Sequence, residues 1–280
     1  MSVGKKLIKM LFPLLALMMV AGCGSEKAVD NKVEDKAEDK QEHSTAASVH
    51  KAHWSYEGDT SPEHWAELDQ LFTTCKVGKA QSPINILKEE VQDDESLSPI
   101  KVEYSPSKVT IVNNGHTIQA NLDNKDNKIT LEGKTYTLQQ FHFHLPSEHE
   151  VNGSHADMEL HFVHKDADGQ LAVLSVLITK GSKENAELNK LWSMLPTEEN
   201  EEGIPIEDAF DMNELLPEDL HSFRYQGSLT TPPCTEGVQW IVLENPVQWS
   251  EEQINKFKAI FPHDNRPVQP LGEREVDTDS

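Results

Sequence analysis

The chain is short of basic side chains, with 25 Lys and Arg against 48 Asp and Glu, giving a formal charge of -23 and a pI near 4.9. A phosphate backbone requires a basic footprint, so nucleic-acid binding is excluded. Cysteines are few: Cys23, Cys75 and Cys234 stand against 13 histidines. Long apolar runs are missing as well. The stretch from Met10 to Ala21 is about half of the roughly 20 residues needed to cross a bilayer, so it is not a membrane helix. No internal repeat is apparent.

What the N-terminus does contain is Lys5, Lys6 and Lys9, the short apolar run, and then Val20-Ala21-Gly22-Cys23. This order is that of a secretory signal over residues 1–22, and its end resembles a bacterial lipoprotein cleavage box with Cys23 as the lipid-bearing residue. Several acyl chains on one cysteine anchor stably, unlike a single chain. The alternative is an ordinary signal cut near Gly22. Residues 23–51 are rich in Asp, Glu, Lys, Ala and Ser and cannot bury enough apolar surface to offset ordering entropy, so they read as a solvated acidic tether. His43, His50 and His53 are scattered near its end and are expected to be solvated. The expected location is extracytoplasmic, on the membrane by the lipid alone. An exported setting permits disulfides, and with Cys23 assigned to lipid, Cys75 and Cys234 remain as a pair. Their bridge would contribute at most about 4 to 5 kcal/mol in the chain-entropy model.

Residues 52–276 have the size of one large domain, with 277–280 as a tail. The informative stretch is Gln139 to His164, QQFHFHLPSEHEVNGSHADMELHFVH. His142 and His144 cannot share a helix face, but side chains alternate along a strand, so they share one strand face with Gln140, and Phe141, Phe143 and Leu145 take the other. Glu150 to Ser154, containing Asn152-Gly153, reads as a hairpin connection. Met158 to His164 alternates again, with Glu159, His161 and Val163 on one face and Leu160, Phe162 and His164 on the other. Antiparallel pairing then brings three imidazoles together. Three neutral nitrogen ligands suit zinc and leave a position open for water, which means chemistry rather than structure. Gln140 and Glu159, each two residues before a ligand, are placed to accept the second N–H of an imidazole. His-X-His with a distant third histidine also arises by coincidence, and spacing alone leaves both readings open.

Strands dominate elsewhere: Lys108 to Val112, Thr117 to Leu122, Lys128 to Leu131, Thr135 to Phe143, Leu171 to Thr179, Ser222 to Ser228 and Val238 to Glu244 are alternating or β-branched runs separated by turn residues. Two helices are predicted. One is capped by Ser182 and carries the stripe Leu188, Leu191, Trp192 and Leu195; the other opens with a Ser250–Gln253 capping box ahead of Ile254, Phe257 and Phe261. The acidic run Glu198 to Asp219 reads as a solvated loop. The fold class is mainly β, a large, mostly antiparallel sheet with short peripheral helices.

Seven segments carry a family resemblance: AQSPINI at Ala80 to Ile86, NNGH at Asn113 to His116, QFHFH at Gln140 to His144, SEH at Ser147 to His149, MELHFVH at Met158 to His164, GSLTTPPC at Gly227 to Cys234 and NRPVQPL at Asn265 to Leu271. In that order the chain resembles an α-class carbonic anhydrase from about Trp54 to Arg274. The resemblance implies a twisted central sheet, Zn2+ held by His142, His144 and His161 in a conical cleft, and reversible hydration of carbon dioxide to bicarbonate and a proton by a zinc-bound hydroxide. It implies that Thr230 orients the hydroxide and gives its own proton to Glu148, that Thr231 contacts bicarbonate, and that Val163, Leu171, Val173, Leu229, Val238 and Trp240 form an apolar wall for carbon dioxide. It implies further that His116 shuttles protons, as an imidazole titrating near neutrality can, with Asn114 and Gln119 lining the same cleft.

The sequence departs from the vertebrate pattern at Leu145-Pro146, Phe223 and Asp264-Asn265, where the backbone carbonyl that would accept from His144 sits beside altered side chains. Two other functions stay in view. A zinc-binding surface lipoprotein or adhesion module on the same fold would lack catalysis, and an esterase would use the same centre on another substrate.

Overall fold

The structure is a computed structural model that describes residues 52–279. The expected signal peptide, Cys23 and the tether with His43 and His50 lie outside the described residues. The alternating runs assemble into a 13-stranded twisted sheet whose main path follows the order Asn200–Pro205, Val109–Asn113, Ile118–Leu122, Lys134–His144, Met158–Lys165, Leu171–Gly181, Glu236–Leu243, Ser222–Ser228, Asp277–Thr278 and Gln92–Asp93. Most neighbours are antiparallel, but Leu171–Gly181 runs parallel to Glu236–Leu243 and to Val247–Ser250, so the sheet is mixed.

Alternation decides the two faces. Phe141, Phe143, Leu160 and Phe162 are fully buried in the main core with Trp249, Phe257 and Phe210. Each such side chain contributes roughly 1.5–3 kcal/mol of transfer free energy, enough to fix which face of these strands turns inward, and the histidines take the other. A second apolar cluster holds Val173, Val238 and Trp240, with Leu171, Val163 and Leu229 packed against it.

Four local expectations are corrected. Asn152-Gly153 does reverse the chain, with both residues at positive φ, but it joins only Glu150–Val151 to Ser154–His155, a pair in a separate three-stranded sheet. The helix Ala186–Trp192 is capped by Asn185, whose side chain accepts from Leu188 N at 2.9 Å, because the preceding strand runs on to Gly181 and leaves Ser182 too early. The acidic segment is not only loop. Asn200–Pro205 pairs with Val109–Asn113, and Phe210, Met212 and Leu215 are buried beneath it. The expected tail is part of the domain: Asp277–Thr278 pairs with Ser222–Ser228, and buried Asp279 accepts from Arg224. The Ser250–Gln253 capping box is formed as read.

Candidate metal centre

Strand register builds the centre. His142 lies directly opposite His161, Glu159 opposite His144, and Val163 opposite Gln140, so all three imidazoles share one face. One ring nitrogen from each forms a group within 4.8 Å of one another.

The remaining ring nitrogens are engaged by the protein. His144 Nδ1 lies 2.7 Å from the Asp264 carbonyl oxygen; a carbonyl only accepts, so Nδ1 carries the proton. The same argument protonates His161 Nε2, 2.7 Å from Glu159 Oε1, and His142 Nδ1, 2.9 Å from Gln140 Oε1. The tautomers leave His142 Nε2, His144 Nε2 and His161 Nδ1 as lone pairs facing one point. Burial holds all three imidazoles neutral, with His142 pushed well below its ordinary value, His144 to about 4, and His161 also lowered. His144 Nε2 is a buried polar atom without a hydrogen-bond partner. Such an atom costs free energy if left unmet, and a cation accepting all three lone pairs removes that cost. The residues therefore fit zinc, a borderline metal that takes imidazole nitrogen.

Glu148 is fully buried beside the centre, with Oε2 3.6 Å from His144 Nε2 and 4.0 Å from His161 Nδ1. With neutral rings these approaches are not ion pairs. Burial raises its carboxyl, against which His161, the Arg266 N–H and the Thr230 hydroxyl pull; Arg266 N donates to Oε1 at 2.9 Å. His149 does not pair with its neighbour Glu148. It bonds Glu159 Oε1 through Nδ1 at 2.7 Å and Tyr225 Oη through Nε2 at 2.7 Å.

The histidines open onto a cleft of about 260 Å³. Val163, Val173, Leu229 and Trp240 line it beside Thr230 and Thr231, and Asn114, His116, Gln119 and Gln140 line the polar side. Leu171 and Val238 do not reach the cleft and pack behind it. Asn114 Oδ1 accepts from His116 N at 3.0 Å and Thr117 N at 2.9 Å, which fixes the turn that carries His116. Trp54, Tyr56 and Thr117 also line the cleft and were not expected there; a Trp and a Tyr two apart at the start of the domain were the available sign. Cys75 and Cys234 are joined. Their bridge sits in a small cluster with Trp65 and Phe72, four residues beyond Thr230.

A large β-sheet carrying a three-imidazole centre at the base of an apolar cleft defines a metal-dependent enzyme of the zinc type. The model of the eukaryotic-type carbonic anhydrase family matches residues 60–280. A carbonic anhydrase of Klebsiella pneumoniae is 49% identical over 231 residues, covering 82% of this chain and 92% of that one. One from Neisseria gonorrhoeae is 46% identical, covering 83% and 90%. The α-carbonic anhydrase of Thermovibrio ammonificans, solved with the inhibitor sulfanilamide, superposes with a TM-score of 0.78 at 45% identity, covering 81% of this chain and 99% of that one. The chain belongs to the α-type carbonic anhydrase family, whose members use zinc and act on carbon dioxide and bicarbonate.

Proposed function

We propose that the chain catalyses reversible hydration of carbon dioxide with zinc held by His142, His144 and His161. The observation that carries this reading is the convergence of three ring nitrogens within 4.8 Å while the opposite nitrogens are bonded to Gln140, Asp264 and Glu159. When bound, zinc supplies Lewis acidity that brings the ionisation of a water molecule to about pH 7, the value known for carbonic anhydrases themselves.

The chain's own side chains do the rest. Thr230 donates a hydrogen bond from its hydroxyl to Glu148, which leaves the threonine oxygen as an acceptor that orients the attacking solvent oxygen. Val163, Val173, Leu229 and Trp240 offer carbon dioxide an apolar wall, suited to a substrate with no charge to solvate, and Thr231 meets the bicarbonate product. His116 takes a proton from the cleft and releases it to buffer. Cys23 anchors the mature protein through lipid outside the cytoplasm, residues 23–51 form the tether, and the domain begins near residue 52.

The test is zinc content and carbon dioxide hydration before and after chelation. One zinc per chain with chelator-sensitive hydration supports the reading. A zinc-loaded protein no faster than buffer overturns catalysis and leaves a binding module. Mass spectrometry of the mature N-terminus tests the lipid, and an unmodified Cys23 refutes it.

A further inference from the structure

Ser175 interrupts an apolar strand, Leu171-Ala172-Val173-Leu174-Ser175-Val176-Leu177-Ile178, at a position with no solvent exposure. A hydroxyl buried there costs free energy unless it is bonded, and its partner is the carboxylate that holds a metal ligand. Register places Ser175 directly opposite His161, and Ser175 Oγ donates to Glu159 Oε1 at 2.5 Å. The same oxygen receives His161 Nε2–H and His149 Nδ1–H, both at 2.7 Å. Oε2 receives the backbone N–H groups of Glu148 at 2.7 Å and His149 at 2.8 Å. A carboxylate offers about four lone-pair sites in all, so three donors on Oε1 compete. A short O–H···O⁻ bond is of the strong, charge-assisted kind, and the serine is a serious competitor.

We infer that Ser175 is a positioning residue for the zinc centre, one that draws negative charge on Glu159 Oε1 away from His161 Nε2–H and thereby limits how strongly His161 donates to the metal. An imidazole whose N–H meets a more basic acceptor becomes a better ligand at its other nitrogen. Sharing Oε1 with a hydroxyl makes that acceptor less basic. The hydroxyl is not what keeps Glu159 in place. Two backbone N–H groups and His149 hold the carboxylate, and His149 is held in turn by Tyr225, whose Oη lies 2.7 Å from His149 Nε2. Deleting the hydroxyl therefore leaves the carboxylate seated and concentrates its charge on the two imidazoles.

The inference rests on zinc being held by His142, His144 and His161. Its test compares zinc-loaded wild type with Ser175→Ala and Ser175→Thr. Transfer of zinc to a chromophoric chelator gives the release rate, and proton NMR gives the His161 Nε2–H resonance. In Ser175→Ala, release is expected to slow by about three- to tenfold, less than the 10–100-fold effects of direct partners of ligands, and the resonance to move downfield. Ser175→Thr, which keeps the hydroxyl, is expected to stay near wild type. A merely structural serine gives faster release on removal, so faster or unchanged release, or an unmoved resonance, overturns the inference. A wild type that retains no zinc overturns the metal centre itself, a result distinct from either.

Discussion

Trp54 lies flat on His116, with ring centroids 3.6 Å apart and planes 7° from parallel. The indole comes from the first residues of the domain and the imidazole from the turn after Val109–Asn113, so two segments about 60 residues apart meet at the mouth of the cleft. Stacking of this kind fixes an aromatic ring with an energy of about 0.5–1.5 kcal/mol beyond its burial. That is enough to bias where the ring rests.

The proposed shuttle role of His116, which lines the cleft, is open to a direct test. His116→Ala is expected to keep zinc and to lose about tenfold or more in turnover in weak buffer, with excess free imidazole restoring the rate. Turnover measured against buffer concentration at constant ionic strength checks this. Equal rates for variant and wild type at every concentration remove His116 from the pathway.

How much of this was legible depended on the range of the interactions. Alternation is local, so the faces of Lys134–His144 and Met158–Lys165 could be read from residues two apart, and with them His142, His144, His161, Gln140 and Glu159. Trp54 could not be placed beside His116, because nothing near either residue encodes a contact across 60 positions. Ser175 was invisible for the same reason: its meaning comes from the register with His161, not from its own strand. The acidic segment misled in another way. Its charges hid the short pairing at Asn200–Pro205 and the buried Phe210, Met212 and Leu215, because an edge strand with one solvated side carries too few apolar residues to show a period. The Asn185 cap was missed where two polar residues three apart competed for one role.

The residues that orient the ligands separate from the ligands by magnitude. His142→Ala is expected to abolish both zinc retention and hydration. Gln140→Ala, which removes only the acceptor for His142 Nδ1–H, is expected to weaken zinc by about 10–100-fold while the zinc-saturated variant keeps part of its activity. Competitive chelator titration measures the first quantity and hydration at saturating zinc the second. Equal zinc affinity in wild type and Gln140→Ala contradicts the assignment.

Thr230 and Glu148 act as one unit in the proposed mechanism, so their substitutions are not additive. Thr230→Val and Glu148→Gln are each expected to lower kcat/KM by about 10²-fold with zinc content unchanged, and the double variant to lose little more than either. A double variant whose loss is the product of the two single losses shows that the residues act independently.

One contribution to acid sensitivity lies away from the cleft. His164 is fully buried on the core face, its Nε2 2.7 Å from Tyr104 Oη, and burial pushes it from an ordinary 6.5 to about 3. The unfolded chain therefore takes up a proton that the folded chain refuses. This contribution to stability is complete above about pH 6.5 and is lost as pH falls toward 3, with a slope approaching 1.4 kcal/mol per pH unit. Between pH 7 and pH 5 the loss from this one ring is about 2 kcal/mol. Burial also lowers the three ligand imidazoles, so the measurement is a difference: urea unfolding of zinc-free wild type and His164→Gln at both values. His164→Gln is expected to be less stable at pH 7, where a well-packed buried ring has been replaced, and the gap is expected to narrow by about 2 kcal/mol at pH 5. A gap that stays constant with pH means that His164 is not the ring whose protonation opposes folding.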